Sequence, residues 1–276
     1  ADFVPGTDFL RRLMPYFAWP DVGCVQARWE YLNRDYSALT QMQAMGIDGH
    51  FTVEQRARSE AGFFLNFNGS AGIWRRACIE DAGGWQADTL AEDLDLSYRA
   101  QLAGWRILYV PEVSVPSELP PQMDALRRQQ SRWAQGSIRV AQKLLPSLLC
   151  SDQPWLVKIE GALHLTAYLI HPLLLVILLS TLPLVLMNVR LSNVVPYFLL
   201  SAVGPPLLYL VAQAERDARW WRQLRFAPLL LLLGMGLALN NTLAIVRGLL
   251  GHSNDFPRTP KFDIRRDKDR WQSSAY

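Results

Sequence analysis

The chain has 276 residues, half of them hydrophobic and 19% charged, with a net charge of +3 and a mean hydropathy of +0.03. That length holds one large domain or two modest ones. A charge this even gives no reason to expect a nucleic-acid partner, and three scattered cysteines (Cys24, Cys78, Cys150) without CxxC spacing speak against a zinc site or disulfide framework and suit a reducing, cytoplasmic face.

The chain opens Ala1-Asp2-Phe3-Val4-Pro5, with no initiator methionine, basic leader or apolar signal core, so it is expected to begin inside a domain. Residues 21–28 read as a short buried strand around Val22, Cys24 and Val25, ended by the polar turn Asn33-Arg34-Asp35. Residues 36–58 look helical, because Leu39, Met42, Gln43, Met45 and Ile47 recur at three-to-four spacing. The run Phe63-Phe64-Leu65-Asn66-Phe67 is aromatic and β-favouring, and it enters the tight turn Asn68-Gly69-Ser70-Ala71-Gly72. Residues 74–82 form a short helix closed by Gly83-Gly84. Thr89 is expected to cap a helix over 92–103, which Gly104 terminates, and residues 105–110 to form a strand stopped by Pro111. Such alternation over residues 1–115 predicts an α/β layer. Pro116, Pro120 and Pro121 mark a linker. Residues 123–145 then make a basic amphipathic helix carrying Arg127, Arg128, Arg132, Arg139 and Lys143, suited to a membrane surface. Beyond Gly161 the composition changes. Residues 162–187, 191–214 and 226–246 are nearly charge-free and each exceeds the ~20 residues that a membrane-crossing helix needs. An integral membrane protein is expected.

Three groups of residues carry chemistry. Glu92-Asp93-Leu94-Asp95 stands at a helix start, where free backbone amides and the helix dipole favour carboxylates; the cluster fits plain N-terminal capping as well as acid–base work. Gln129, Arg132 and Trp133, in Q-x-x-R-W, stand at i, i+3 and i+4 and share one helix face. That face offers a phosphate-binding fork beside a flat platform for a sugar ring, or equally an interfacial tryptophan. Phe256-Pro257-Arg258-Thr259-Pro260-Lys261 is a proline-constrained loop in which Thr259 and Lys261 both suit a phosphate, or a basic segment drawn to anionic lipid.

In this order the motifs resemble those of the processive family-two glycosyltransferases, the group of cellulose, glucomannan, mannan, hyaluronan and chitin synthases. FPRTPKF over residues 256–262 and FNGSAGIWRR over residues 67–76 point to its bacterial cellulose-synthase-like and mannan-synthase-like branch. The resemblance implies a partial GT-A-type (Rossmann-like) α/β domain followed by an α-helical transmembrane bundle. It makes Asp93 the general base that deprotonates the acceptor hydroxyl, with Glu92 before it; Ala91 stands where the family has threonine. Asp2 resembles the last acid of the metal motif and would help hold Mg2+ or Mn2+ on the donor diphosphate. Gln129 and Arg132 would contact donor phosphate or acceptor, and Trp133 would stack the terminal sugar. Asn68, Gly69 and Ser70 would line the acceptor site, while Thr259 and Lys261 resemble a gating loop that closes over the nucleotide.

The implied reaction is inverting transfer of a hexose, from a UDP-glucose or GDP-mannose type donor, to a growing β-linked polysaccharide. The implied partners are nucleotide-sugar, polysaccharide acceptor, lipid bilayer and an export partner of unknown identity. Two rivals stay open: a non-processive transferase acting on a lipid or polyprenyl phosphate, from which Q-x-x-R-W discriminates, and a non-catalytic export or scaffold subunit. The expected parts are a catalytic segment at 1–121, an interface segment at 122–160, membrane helices at 161–251 and a gating segment with tail at 252–276. The expected location is a bacterial inner membrane with the catalytic part in the cytoplasm. Arg216, Arg219, Arg222 and Arg225, against Arg190 alone in the first loop, place residues 215–225 on the catalytic side. Three crossings would then put residues 256–270 outside, so an even number is expected, with one stretch interfacial or re-entrant.

Overall fold

A computed structural model describes residues 3–188, 203–216, 218–251, 260, 262 and 264. Its sheet is mixed and has the order β2-β1-β3. Strand β1 (Val22–Tyr31) pairs antiparallel with β2 (Gly72–Trp74) and parallel with β3 (Arg106–Ser117). Val22, Cys24, Val25 and Ala27 are fully buried, as a strand covered on both faces requires.

β3 continues through Pro111 and Pro116, where a stop and a linker were expected. As the outer strand of the three, it can hold a proline whose missing N–H faces away from the ladder. The partner of Ala27 is Val110 and that of Arg28 is Ser114, so residues 111–113 bulge outward and take Pro111 out of the ladder. Arg28 Nε donates to the half-buried Pro111 carbonyl at 3.1 Å.

Before β1 lies the short helix α1 (Phe9–Leu13). The helical pattern over 36–58 is realised as α2 (Ala38–Asp48), a π-helical turn (Gly49–Glu54) and α3 (Gln55–Ala61). Ser37 starts it with a capping box: Thr40 N–H donates to Ser37 Oγ at 3.2 Å and Ser37 N–H to Thr40 Oγ1 at 2.9 Å. The run 63–67 forms no strand. Side-chain amides take the place of a ladder, because Gln101 bonds both the N–H and the carbonyl of Leu65, Ser97 Oγ accepts from Phe67 N–H, and Gln26 Oε1 accepts from Asn68 N–H. The Leu65 and Phe67 groups so bonded are buried among aromatic neighbours, which is why the segment reads as β from composition alone.

After β2 come α4 (Arg76–Asp81) and α5 (Glu92–Leu102). The N-cap of α5 is Ala91, with no side-chain cap; Thr89 is buried two residues earlier and its hydroxyl bonds no described residue. The long helix α6 (Met123–Cys150) runs past Pro146, because Leu148 is wholly buried and holds the last turn in the core. It is followed by α7 (Trp155–Leu165), α8 (Ile170–Leu186), α9 (Gly204–Arg216) and α10 (Ala227–Leu249).

One hydrophobic cluster joins the sheet layer to the apolar half: Leu94 and Tyr98 of α5, Ala134, Ile138, Ala141 and Leu144 of α6, Val157 of α7, and Ala244 and Ile245 of α10. Two stretches, Ala167–Leu186 and Trp220–Leu249, are long and apolar enough to cross a membrane. They differ in kind. No residue of α8 is buried, whereas α10 packs along α6 and buries Leu237, Ala238, Asn241, Ala244, Ile245 and Gly248. Residues 191–202 of the second apolar stretch lie outside the described residues, and its remainder is α9, docked by polar contacts on α2 and the π turn.

Candidate active site

Asp93 lies in the first turn of α5, half-buried, with its Oδ1 accepting from Leu94 N–H at 2.8 Å. Burial raises its carboxyl to about 7, the neighbouring Glu92 charge adds to this, and the Leu94 amide and the positive Arg132 oppose it. A carboxyl raised in this way suits general-base work, while the Leu94 N–H on its Oδ1 suits the capping reading of the same cluster.

Gly69 sits directly over Asp93. A Cβ at that position would stand 2.9 Å from Asp93 Oδ2, and its φ of +73° is one that side chains rarely adopt. Only glycine lets the 68–70 turn lie against Asp93. Both Asp93 and Asn68 line a cavity of about 490 Å³. To the same cavity α6 contributes Leu126, Gln129, Gln130, Trp133 and Ser137, one helical stripe, so Gln129 and Trp133 share a face as their spacing predicts. Arg132, one position aside, acts on Asp93 through its charge. Ser70 stands off the cavity, and its carbonyl accepts from Gln26 at 3.1 Å. The far wall is made by Tyr168 and His171 beside Leu230, Leu233 and Leu237, so the cavity leads from the base toward the apolar helices.

What sets α6 at this distance is Gly136. A Cβ there would meet Ala91 Cβ at 2.8 Å and the Leu90–Ala91 backbone at 2.9 Å, immediately before Glu92 and Asp93. Ala91 belongs to the same close approach. Gly136→Val is therefore expected to cost about 1–3 kcal/mol by overpacking, and to lower transfer by moving Trp133 away from Asp93; thermal unfolding with a transfer assay checks both.

Asp2, Thr259 and Lys261 lie outside the described residues. Phe262 and Ile264 are described on the catalytic side: Phe262 N–H donates to the buried Glu118 carboxylate at 2.9 and 3.0 Å, and Ile264 is buried. Among the described residues no group of three or more His, Cys, Asp or Glu side chains is placed to hold a metal ion.

A second polar group was not singled out from the sequence. His50, Glu54 and Arg58 stand at i, i+4 and i+8 on the π turn and α3, and all three line the cavity. His50 Nδ1 is 3.0 Å from Glu54 Oε2, its Nε2 is 3.1 Å from Asn68 Nδ2, and Arg58 Nε donates to Glu160 of α7 at 2.5 Å. The hydrogen bond from His50 brings the Glu54 carboxyl down to about 2. Their eight-residue polar stripe was the available signal, overlaid by the apolar one of the same helix. Farther along, His164 bonds Tyr98 at 2.8 Å and His171 bonds Asn241 at 2.9 Å, so these residues hold elements together while also facing the cavity.

Residues 1–214 match the family model described as Glycosyl transferase family group 2. Glucomannan 4-beta-mannosyltransferase 2 of Arabidopsis thaliana is 47% identical over 150 residues, which cover 54% of this chain and 28% of that protein. Glucomannan 4-beta-mannosyltransferase 1 of Oryza sativa subsp. japonica is 45% identical over 150 residues, 54% of this chain and 29% of that protein. The matched part thus spans less than a third of these relatives. A mannosyltransferase from Pyrobaculum calidifontis, solved in complex with GDP-Man and Mn2+, superposes with a TM-score of 0.49 at 21% identity, over 90% of this chain and 60% of that one. With a mixed GT-A-type sheet layer and a family match that runs over residues 1–214, this chain belongs to glycosyl transferase family group 2.

Proposed function

We propose that this chain is the acceptor-side, membrane-proximal part of an inverting transferase that extends a β-linked polysaccharide from a nucleotide-sugar. The observation that carries the reading is the cavity shared by Asp93, Asn68, Gln129 and Trp133, in which the base carboxyl is raised to about 7. An acceptor sugar stacked on Trp133 presents a hydroxyl to Asp93. Asp93 takes its proton as the oxygen attacks the anomeric carbon opposite the leaving diphosphate, which turns an α donor into a β product. The names of the relatives, glucomannan 4-beta-mannosyltransferases, support mannose as the sugar and therefore GDP-mannose over UDP-glucose. A divalent cation would neutralise charge on the leaving diphosphate, with Asp2 among its ligands.

The reading places the protein in a membrane, with the catalytic layer on the cytoplasmic side. Exposed α8 suits a crossing helix, and α10, packed along α6, suits a helix at the membrane interface. The return of Phe262 and Ile264 to the catalytic layer supports an even number of crossings. Protease protection of residues 252–276 in intact cells tests that topology; cleavage from outside overturns it.

The activity test uses the full-length protein in membrane vesicles with labelled GDP-mannose and UDP-glucose in parallel. Label from GDP-mannose is expected in high-molecular-weight, mannanase-sensitive material. Label confined to organic-extractable lipid would instead identify a single-addition transferase.

A further inference from the structure

We propose that His50 and Glu54 form, with Asn68 and Gln55, a hydrogen-bonded relay that positions the acceptor sugar beside Asp93. The proposal rests on the transferase reading above and assigns that site a wall of its own.

The direction of every bond in the relay follows from a backbone anchor. Gln55, wholly buried, brings one amide nitrogen within 2.9 Å of the Asn66 carbonyl and 3.1 Å of Asn68 Oδ1. A backbone carbonyl only accepts, so that atom of Gln55 is the nitrogen and donates to both. Asn68 therefore turns its oxygen to Gln55 and its Nδ2 to His50. An amide nitrogen only donates, so His50 Nε2, 3.1 Å away, must be the unprotonated acceptor. The ring proton then resides on Nδ1 and points at Glu54 Oε2, 3.0 Å away. A protonated His50 would set two donors against each other at Asn68.

Asn68 is thus clamped at both ends of its amide, while no described residue takes its second Nδ2 hydrogen. Asn68 lines the cavity one residue from Gly69, which lies against Asp93. The free N–H is the donor that a hydroxyl oxygen of the acceptor would meet. Turns with π-helical geometry recur at functional sites, and this one carries both His50 and Glu54.

The acceptor of the proposed transfer is a sugar, and its hydroxyl oxygens accept from such an N–H.

The test compares His50→Phe, His50→Gln, Glu54→Gln and Asp93→Asn in the full-length protein in membrane vesicles. Donor KM, KM for an added β-linked manno-oligosaccharide, and donor hydrolysis without transfer are measured for each. His50→Phe keeps the ring but no nitrogen, and is expected to raise the acceptor KM about tenfold or more, as loss of an orienting hydrogen bond predicts. Donor KM should stay unchanged while hydrolysis gains on transfer. His50→Gln offers one acceptor and one donor in place of the ring nitrogens, and should restore the acceptor KM to within about threefold of wild type. Glu54→Gln keeps size and packing but no longer selects the tautomer, and should move the acceptor KM in the same direction by less. An unchanged acceptor KM in both His50→Phe and Glu54→Gln overturns the proposal, as does a rise confined to donor KM. Asp93→Asn separates the two readings: its loss of transfer upholds the catalytic assignment whatever His50 does, and wild-type polymer synthesis by Asp93→Asn overturns the assignment itself.

Discussion

Asp93→Asn is expected to lower transfer by about 10²–10⁴-fold, the usual worth of a general base, while leaving the donor KM in place. In the wild type, transfer at low substrate should rise with pH about tenfold per unit, then level off near pH 7, where the Asp93 carboxyl ionises. A profile already flat from pH 5 would mean that another group takes the proton. The same substitution should stabilise the fold. Burial holds the folded-state value well above that of an unfolded aspartate, so between about pH 4 and 7 the folded chain binds a proton that the unfolded chain has released. Stability of the wild type therefore falls across that window, and the deficit is fully present above it. An asparagine carries no such penalty. Asp93→Asn should be more stable by about 0.5–2 kcal/mol above pH 7, an advantage that vanishes below pH 4. Thermal unfolding at the two pH values measures it, and equal stability at both would show that Asp93 is not ionising in a desolvated place.

The second large effect is expected at Asp48, far from any reacting atom. Its carboxylate is wholly buried at the end of α2 and is met from two sides. Arg34 stands 3.1 Å from Oδ2 and Arg216 of α9 stands 3.2 Å from Oδ1, while Gln213 and Tyr31 donate to it at 3.0 and 3.2 Å. Arg216 also binds Glu30 of β1 at 2.6 Å. Burial pushes the Asp48 carboxyl up and the two guanidinium groups push it down. Removing the carboxylate leaves two cations facing each other in a dry place, which costs about 3–5 kcal/mol. Asp48→Ala should therefore unfold several degrees earlier and release α9 to protease. Replacing Asp48 and Arg216 together with Leu and Met should cost less than Asp48→Ala alone, because only Arg34, partly exposed and still bonded to Gln213, then lacks its carboxylate, and the effects of linked residues do not add. If the double variant is the worse of the two, the clamp is held by packing instead of charge. The clamp also bears on the site: Gly49, next to Asp48, begins the π turn, and a Cβ there would be 3.3 Å from Leu208 and Tyr209 of α9. A displaced α9 should thus disturb His50 and raise the acceptor KM as a secondary effect.

Much of this arrangement is legible in the linear chain because it depends on local spacing. Positions 129 and 133 share a helix face by geometry, and the stripe is found lining the cavity. Asp93 in a helix first turn, the strand around Val22–Val25, and the glycines at 69 and 72 follow from residue type and immediate neighbours. The apolar stretches after Gly161 announce themselves by length and composition.

What failed to read depends on partners distant in sequence. Residues 63–67 look like a strand, yet Ser97 and Gln101 supply their hydrogen bonds from up to 36 positions away. Pro111 looks like a stop, but a proline halts a strand only where both edges are paired, and edge position is a property of the sheet. The value of the Asp93 carboxyl, the closeness of α6 set by Gly136, and the turning of Asn68 toward His50 all require residues brought together by folding. Sequence by itself therefore determined which residues are candidates for the chemistry and that positions 129 and 133 share a helix face, since those are matters of residue type and helical period. Tertiary structure alone decided the protonation state, the tautomer and the shape of the cavity, because desolvation and hydrogen-bond direction exist only between surfaces that the fold has closed.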